Sequence, residues 1–91
     1  MTDETREMRL KRLHMRSWRR GIKEMDLVLG RWSDDMLATM DAAELDLYED
    51  LLGEMDQDLL RWITGLDPVP ERYRLLFARI SDHAKAQGTA N

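Results

Sequence analysis

The feature that most constrains the fold of this chain is an apolar stripe in its first half. The residues of the stripe recur every three or four positions, which is the spacing of one face of an α-helix. They are Ile22, Met25, Leu29, Trp32 and Met36, with Val28 beside them. Period-two alternation is absent and β-branched residues are scarce. The sequence therefore predicts an all-α protein in which this helix faces the core, although Gly30 is expected to bend or break the helix and Ser33 to cap a new segment.

A first helix is predicted before the stripe, from about Asp3 to Trp18, with Thr2 or Asp3 as its cap. Gly21 is unfavourable inside a helix and marks the junction with the second one. The apolar residues of the first helix that lie opposite its arginines are Met8, Leu10, Met15 and Trp18.

Three more helices are predicted after the stripe. Asp41 and Glu44 form a capping-box pattern that opens the third helix, Asp56 is expected to cap a short fourth helix closed by Gly65, and Pro70 suits the start of the last. The apolar residues expected to pack in these helices are Leu45, Tyr48, Leu51, Leu52, Met55, Leu59, Leu60, Trp62, Ile63, Tyr73, Leu76, Phe77 and Ile80. Short connections between amphipathic helices favour a compact five-helix bundle.

A chain of 91 residues is expected to form one domain, residues 1–91, ordered over about 4–86 and followed by a short flexible tail. The chain contains no cysteine, which excludes disulfides, thiolate metal sites and thiol catalysis and favours a reducing compartment. The N-terminus has no signal-peptide pattern, and the apolar runs are far too short to cross a bilayer. We therefore expect a bacterial cytoplasmic protein with no membrane insertion.

Charge is distributed unevenly along the chain. Residues 6–23 carry eight Lys and Arg and a single acid, whereas residues 24–71 carry fourteen acids and only Arg31 and Arg61. The basic stripe of Arg9, Arg12 and Arg16 is best explained as a solvated face paired with the acidic remainder. Nucleic acid is a weaker alternative, because the acidic remainder would repel a phosphate backbone.

Catalytic and metal-binding patterns are nearly absent from the sequence. Ser81, Asp82 and His83 contain the residue types of a catalytic triad, but neighbours on a helix point about 100° apart. His14 and His83 lack the spacing of metal ligands, and the five glycines are too scattered for a phosphate loop. The sequence predicts no enzyme, no metal site and no firmly bound cofactor.

The segment Arg19-Arg20-Gly21-Ile22-Lys23-Glu24 is the strongest candidate for a binding site. Arg20 and Glu24 are four residues apart, so a helix that includes both would make them neighbours on one face. Gly21 lacks a side chain and would let another backbone approach closely. Physical reasoning leaves two interpretations open: a helix start with an intrahelical ion pair, or a docking site for another protein.

The pattern Arg-Gly-x-x-Glu, here Arg20, Gly21 and Glu24, resembles the signature of the SdhE (YgfY) family. A second block, from Leu51-Leu52 through Met55-Asp56-Gln57-Asp58 to Trp62-Ile63, resembles another part of that family at a matching distance. Gln57 departs from the proline that is common there, which concerns a helix start and not the docking motif. The resemblance covers most of the chain.

The resemblance implies a five-helix bundle that acts as an assembly factor. Such a factor binds the flavoprotein subunit of succinate dehydrogenase, and the flavoprotein subunit of fumarate reductase is a second candidate partner. It promotes covalent attachment of FAD to a histidine of that subunit and supplies no catalytic side chain itself. The partner-binding residues that it implies are Arg20, Gly21 and Glu24, with Arg19, Trp18 and Asp26 as weaker candidates. The alternatives are an antitoxin-like regulatory interaction module and, less favoured, a nucleic-acid-binding bundle.

Overall fold

A computed structural model of the chain describes residues 4–88, and within that range the backbone forms helices and no strand. The bounds of the five helices are α1 Arg6–Trp18, α2 Lys23–Met36, α3 Ala42–Leu52, α4 Asp56–Ile63 and α5 Arg74–Ala86. Two short 3-10 turns, Leu37–Thr39 and Glu71–Tyr73, precede α3 and α5. The prediction of an all-α five-helix bundle is confirmed.

Helix α2 lies at the centre of the bundle and packs against α1, α4 and α5. Met25, Val28, Leu29 and Trp32 are almost completely buried, and the two ends of the stripe are half-buried against the same core. The burial of apolar surface on this face is the main reason that α2 is stable, because a helix of this length is marginal in water by itself. The apolar stripe thus has the role that its spacing predicts.

The expected break at Gly30 is wrong, since α2 runs through this residue without interruption. Gly30 is buried under the indole ring of Trp18, and a Cβ placed on Gly30 would lie 2.2 Å from Cδ2 of that ring. Ser33 does not cap a new segment either; its hydroxyl donates to the carbonyl of Gly30 at 2.7 Å. Glycine is needed here for close packing of α1 on α2 and not for a turn.

Helix α1 begins later than the sequence suggests. Its N-cap is Thr5, whose hydroxyl accepts a hydrogen bond from the backbone N–H of Met8 at 3.1 Å, and Thr2 and Asp3 lie outside the described residues. The fully buried apolar residue of α1 is Leu13, which the sequence analysis did not select. Met8 and Met15 are half-exposed, so the contact of α1 with the core is narrower than predicted.

Helix α3 begins with the predicted capping box, in which Asp41 and Glu44 each accept the other's backbone N–H, at 2.8 and 2.9 Å. Two predictions for the start of α4 are wrong. Met55 is not a core residue but stands exposed at the N-cap position, and Asp56 is the first helical residue and not the cap. Asp56 is occupied by a different contact, described below.

Helix α5 follows Pro70 through the second 3-10 turn, and its predicted apolar face is buried. Trp62 of α4 packs edge-on against Phe77 and at a tilt against Tyr73, with ring centroids 6.0 and 6.1 Å apart. Within residues 4–88, no helix has the length and apolar character that a membrane crossing requires.

Candidate functional site

The loop between α1 and α2, residues 19–22, is held against the loop between α3 and α4. The guanidinium of Arg20 donates from Nε to Asp56 at 2.6 Å and from its two terminal nitrogens to the carbonyls of Leu52, at 2.8 Å, and Glu54, at 3.1 Å. The Arg20 side chain is only 9% exposed and that of Asp56 17%. A planar fork with several donors suits such a set of fixed acceptors, so Arg20 fastens the two loops together.

Gly21 takes part in the same contact. Its backbone N–H donates to the second carboxylate oxygen of Asp56. A Cβ on Gly21 would lie 3.2 Å from that oxygen, which is tighter than a relaxed contact. We call Arg20, Gly21, Leu52, Glu54 and Asp56 the loop junction. The close approach that Gly21 allows is therefore filled, in this structure, by a residue of the same chain.

The intrahelical ion pair considered for Arg20 and Glu24 is wrong, because α2 begins at Lys23 and Arg20 belongs to the loop. The backbone N–H of Arg20 donates instead to the Asp26 carboxylate at 2.6 Å. Asp26 thereby connects the loop to the first turns of α2, where a negative charge also interacts favourably with the helix dipole.

Other residues of the motif segment remain available for a partner. Glu24 and Arg19 are exposed, and neither forms an ion pair or hydrogen bond with the side chains of residues 4–88. Trp18 is half-buried over Gly30, and its indole N–H donates to Asp34 at 3.1 Å. The structure thus divides the six predicted binding residues into a group that builds the loop, Arg20, Gly21 and Asp26, and a group with free surface.

A groove lies beside the loop junction on the α1 side. It is open to solvent, has a volume of about 400 Å³ and is lined by Arg12, Met15, Arg16, Arg19 and Arg20. We call it the arginine groove. Met15, half-exposed, supplies its apolar surface, and the four arginines make it strongly basic. Arg12 and Arg16 belong to the basic stripe of the sequence analysis, which did not predict a concave surface.

Two arginines of α1 form ion pairs with acids of α3. Arg9 donates to Asp46 at 2.7 Å, and Arg12 donates to Glu49 at 2.8 Å. Arg12 also binds Glu4 at 2.8 Å. The hydrogen bond from Arg12 holds the pKa of Glu49 below its usual range. The interpretation of the basic stripe as a face paired with acidic residues is confirmed for Arg9 and Arg12.

The two histidines each contact one carboxylate. His14 lies 2.6 Å from Asp34, and His83 lies 2.7 Å from Asp35 and packs edge-on against Trp32. Over residues 4–88, no group of three or more His, Asp and Glu is arranged to hold a metal ion.

The residue that sequence reasoning missed is Asp56, which lies 35 and 36 positions from the residues it binds. Helical periodicity relates residues three or four apart and gives no information at such a separation. The one available signal was that the two blocks of the family resemblance contain Arg20-Gly21 and Asp56, so that a contact between the blocks was a reasonable hypothesis.

Comparison with known proteins gives a consistent result. Residues 11–84 match the Sdh5 family model, described as flavinator of succinate dehydrogenase. Three yeast proteins, each named succinate dehydrogenase assembly factor 2, mitochondrial, are similar to the chain. The protein from Meyerozyma guilliermondii is 40% identical, and the match covers 80% of this chain and 56% of the relative. The protein from Schizosaccharomyces pombe is 35% identical, and the match covers 92% of this chain and 62% of the relative. The protein from Komagataella phaffii is 36% identical, and the match covers 79% of this chain and 40% of the relative. The chain thus spans between 40% and 62% of the length of these relatives.

Proposed function

This chain belongs to the family of flavinators of succinate dehydrogenase, and we propose that it is an assembly factor for that enzyme. In this proposal it binds the flavoprotein subunit of succinate dehydrogenase and promotes covalent attachment of FAD to a histidine of that subunit. The names of the yeast relatives, which refer to assembly of the same enzyme, support the proposal.

The main structural support for the proposal is that the residues of the Arg-Gly-x-x-Glu segment fall into two groups, those that hold the loop in place and those that are exposed. The loop junction holds this segment against the α3–α4 side through three hydrogen bonds from the Arg20 guanidinium and one from the Gly21 backbone N–H. Arg19 precedes Arg20 in the same loop, Glu24 lies in the first turn of α2, and both side chains are exposed. A binding surface on a rigid base loses little conformational entropy when it docks, which favours affinity.

The proposed mechanism is positional. FAD attachment joins the flavin ring to a histidine of the partner, so the two reacting groups both belong to the flavoprotein and its cofactor. Docking of this chain would stabilise the arrangement of the flavoprotein in which these groups are close and correctly oriented, which can lower a barrier substantially. In this proposal the chain holds no FAD of its own and contributes no catalytic side chain; it is a maturation factor and not an enzyme.

The test is a reconstitution with the purified apo-flavoprotein subunit, free FAD and this chain. Covalent flavin is measured as in-gel fluorescence of the flavoprotein band. We expect the chain to increase the rate of flavin attachment, and the charge reversal Glu24→Lys to reduce that increase by about tenfold or more if Glu24 contacts the partner. Equal flavin attachment with and without the wild-type chain, under conditions in which the flavoprotein is folded, would contradict the proposed function.

Glu7→Lys is a matched control for this variant. Glu7 and Glu24 are both exposed glutamates at the second position of a helix, so the two reversals have similar effects on the helix dipole. Flavin attachment should be normal with Glu7→Lys. An equal loss in both variants would indicate a general charge effect and not a contact at Glu24.

Two finer parts of the proposal remain to be tested separately. Whether the chain also promotes FAD attachment to fumarate reductase is tested in the same reconstitution, with the fumarate reductase flavoprotein subunit in place of that of succinate dehydrogenase. The bacterial cytoplasmic location stays a prediction, and the relatives compared above are mitochondrial proteins by name.

A further inference from the structure

We propose that the arginine groove binds an acidic segment of the partner protein that carries an apolar side chain between its carboxylates. The inference rests on the proposed function for the identity of the partner, the flavoprotein subunit, and adds a second contact surface to the Arg-Gly-x-x-Glu segment. Its evidence is the charge, shape and incomplete pairing of the residues that line the groove.

The four arginines of the groove differ in how closely carboxylates of the same chain already pair with them. Arg12 and Arg20 have close carboxylate partners at 2.8 and 2.6 Å. Arg16 comes no closer than 3.9 Å to Glu49, and Arg19 has no carboxylate within ion-pair distance among residues 4–88. Arg16 and Arg19 therefore keep most of their capacity to bind carboxylates from another molecule, and a guanidinium binds a carboxylate through two parallel hydrogen bonds.

The shape of the groove matches a short peptide better than a single ion. A volume of about 400 Å³ lies within the range of sites that enclose small ligands or a few side chains. Met15 is 51% exposed on the groove surface, and a flexible thioether side chain adapts to apolar groups of different shape. An apolar residue between two acids would contact Met15 while the acids reach Arg16 and Arg19.

The acids at the edge of the groove favour a protein partner over nucleic acid. Glu49 lies beside Arg12 and Arg16, and Asp56 lies beside Arg20. These fixed negative charges would repel a continuous phosphate backbone, whereas a peptide with two or three separated carboxylates can avoid them.

The test measures binding of the full chain to the flavoprotein subunit by titration calorimetry at several salt concentrations. We expect Arg19→Glu to raise Kd by about tenfold and to reduce the salt dependence of Kd, since an exposed charge at an interface acts chiefly through electrostatics. Lys85→Glu is the control, because Lys85 is exposed on α5 and does not line the groove, and its reversal gives the same change in net charge. Thermal melting of both variants checks that they fold.

A second measurement tests the groove independently of the flavoprotein. The isotope-labelled chain is titrated with a blocked hexapeptide of Asp, Glu and Leu and, separately, with a single-stranded DNA oligonucleotide, and amide NMR shifts are followed. Shifts confined to Met15, Arg16 and Arg19 with the peptide, lost in Arg19→Glu, support the inference. No shifts with the peptide, or shifts at these residues with the oligonucleotide alone, overturn it.

The two proposals fail in different ways. If the wild-type chain promotes flavin attachment and Arg19→Glu does so equally, with unchanged Kd, the groove proposal is wrong and the proposed function stands. If the wild-type chain neither binds the flavoprotein nor promotes attachment, the proposed function is wrong, and the peptide titration still decides whether the groove binds acidic segments.

Discussion

Two ion pairs in this molecule have the same distance from the arginine Nε to the carboxylate but different surroundings. Arg20 donates from Nε to Asp56 at 2.6 Å, and Arg61 donates from Nε to Asp67 at 2.6 Å. The first pair is 9% and 17% exposed, whereas the second is 51% and 44% exposed. The second pair joins residues six positions apart at the end of α4, but the first joins the α1–α2 loop to the first residue of α4, 36 positions away.

The difference shows that distance alone does not determine what an ion pair contributes. Among residues 4–88, the Arg61 side chain hydrogen-bonds to Asp67 alone and is half-exposed, and exposed pairs contribute little to stability. Arg20 also binds two backbone carbonyls, and Asp56 also accepts the N–H of Gly21. Removal of one member of the buried pair therefore leaves several polar groups without partners, and this loss is much larger than the loss of one ion pair.

The largest expected effect is that of Asp56→Ala, which should lower the free energy of unfolding by about 3 kcal/mol because the Arg20 guanidinium is left buried without a counter-charge. Asp67→Ala makes the same substitution in the exposed pair and should leave the urea midpoint nearly unchanged. Urea unfolding of both variants, followed by far-UV circular dichroism, gives the comparison. Similar midpoints for the two variants would show that the surroundings of the pairs do not matter.

Gly21→Ala should lower the free energy of unfolding by about 1 kcal/mol, since its methyl group would crowd the Asp56 carboxylate in a packed junction. The cause can be isolated in a double-mutant cycle with Asp56→Ala, by the same urea unfolding. In the Asp56→Ala background the additional cost of Gly21→Ala should disappear. A cost that persists there would place its origin in the loop backbone and not in the contact with Asp56.

The smallest expected effect concerns the partly buried network between α1 and α3 and appears on acidification. Arg12 lowers the pKa of Glu49 in the folded state, so the stabilisation is present above the ordinary carboxyl value and is lost as the pH falls through the lowered value. Glu49→Gln should reduce the stability by less than about 1 kcal/mol at neutral pH and should weaken its decline below about pH 4.5. Urea unfolding at a series of pH values measures both effects, and an unchanged acid dependence would contradict this assignment.

The parts of the fold that depend on nearby residues could be predicted from the sequence. The stripe of α2 and the capping box of α3 are patterns over three or four positions, and both agree with the structure. The start of α1 was placed three residues early because Thr5 follows other cap-forming residues, and local preference does not choose among them.

The parts that depend on distant residues could not be predicted in this way. Gly30 was expected to interrupt α2 because propensity scales describe an isolated helix, whereas here the absent side chain makes room for Trp18. Asp56 was assigned to a helix cap because the sequence gives no indication of a partner in another loop. For the candidate site, the segment was identified from its pattern and family resemblance, but the separation of its residues into structural and exposed groups required the three-dimensional arrangement.

The loop junction has a consequence for the genetics of this protein. A substitution at Arg20 or Gly21 would disturb the α3–α4 loop as well as the surface around Glu24. The resulting phenotype could come from degradation of an unstable protein or from a stable protein that no longer docks, and the two causes would look the same in a cell. Glu24 and Arg19 are exposed, and their side chains form no ion pair or hydrogen bond within residues 4–88. Alleles at these two exposed positions are therefore expected to impair docking to the partner while the amount of folded protein in the cell stays normal.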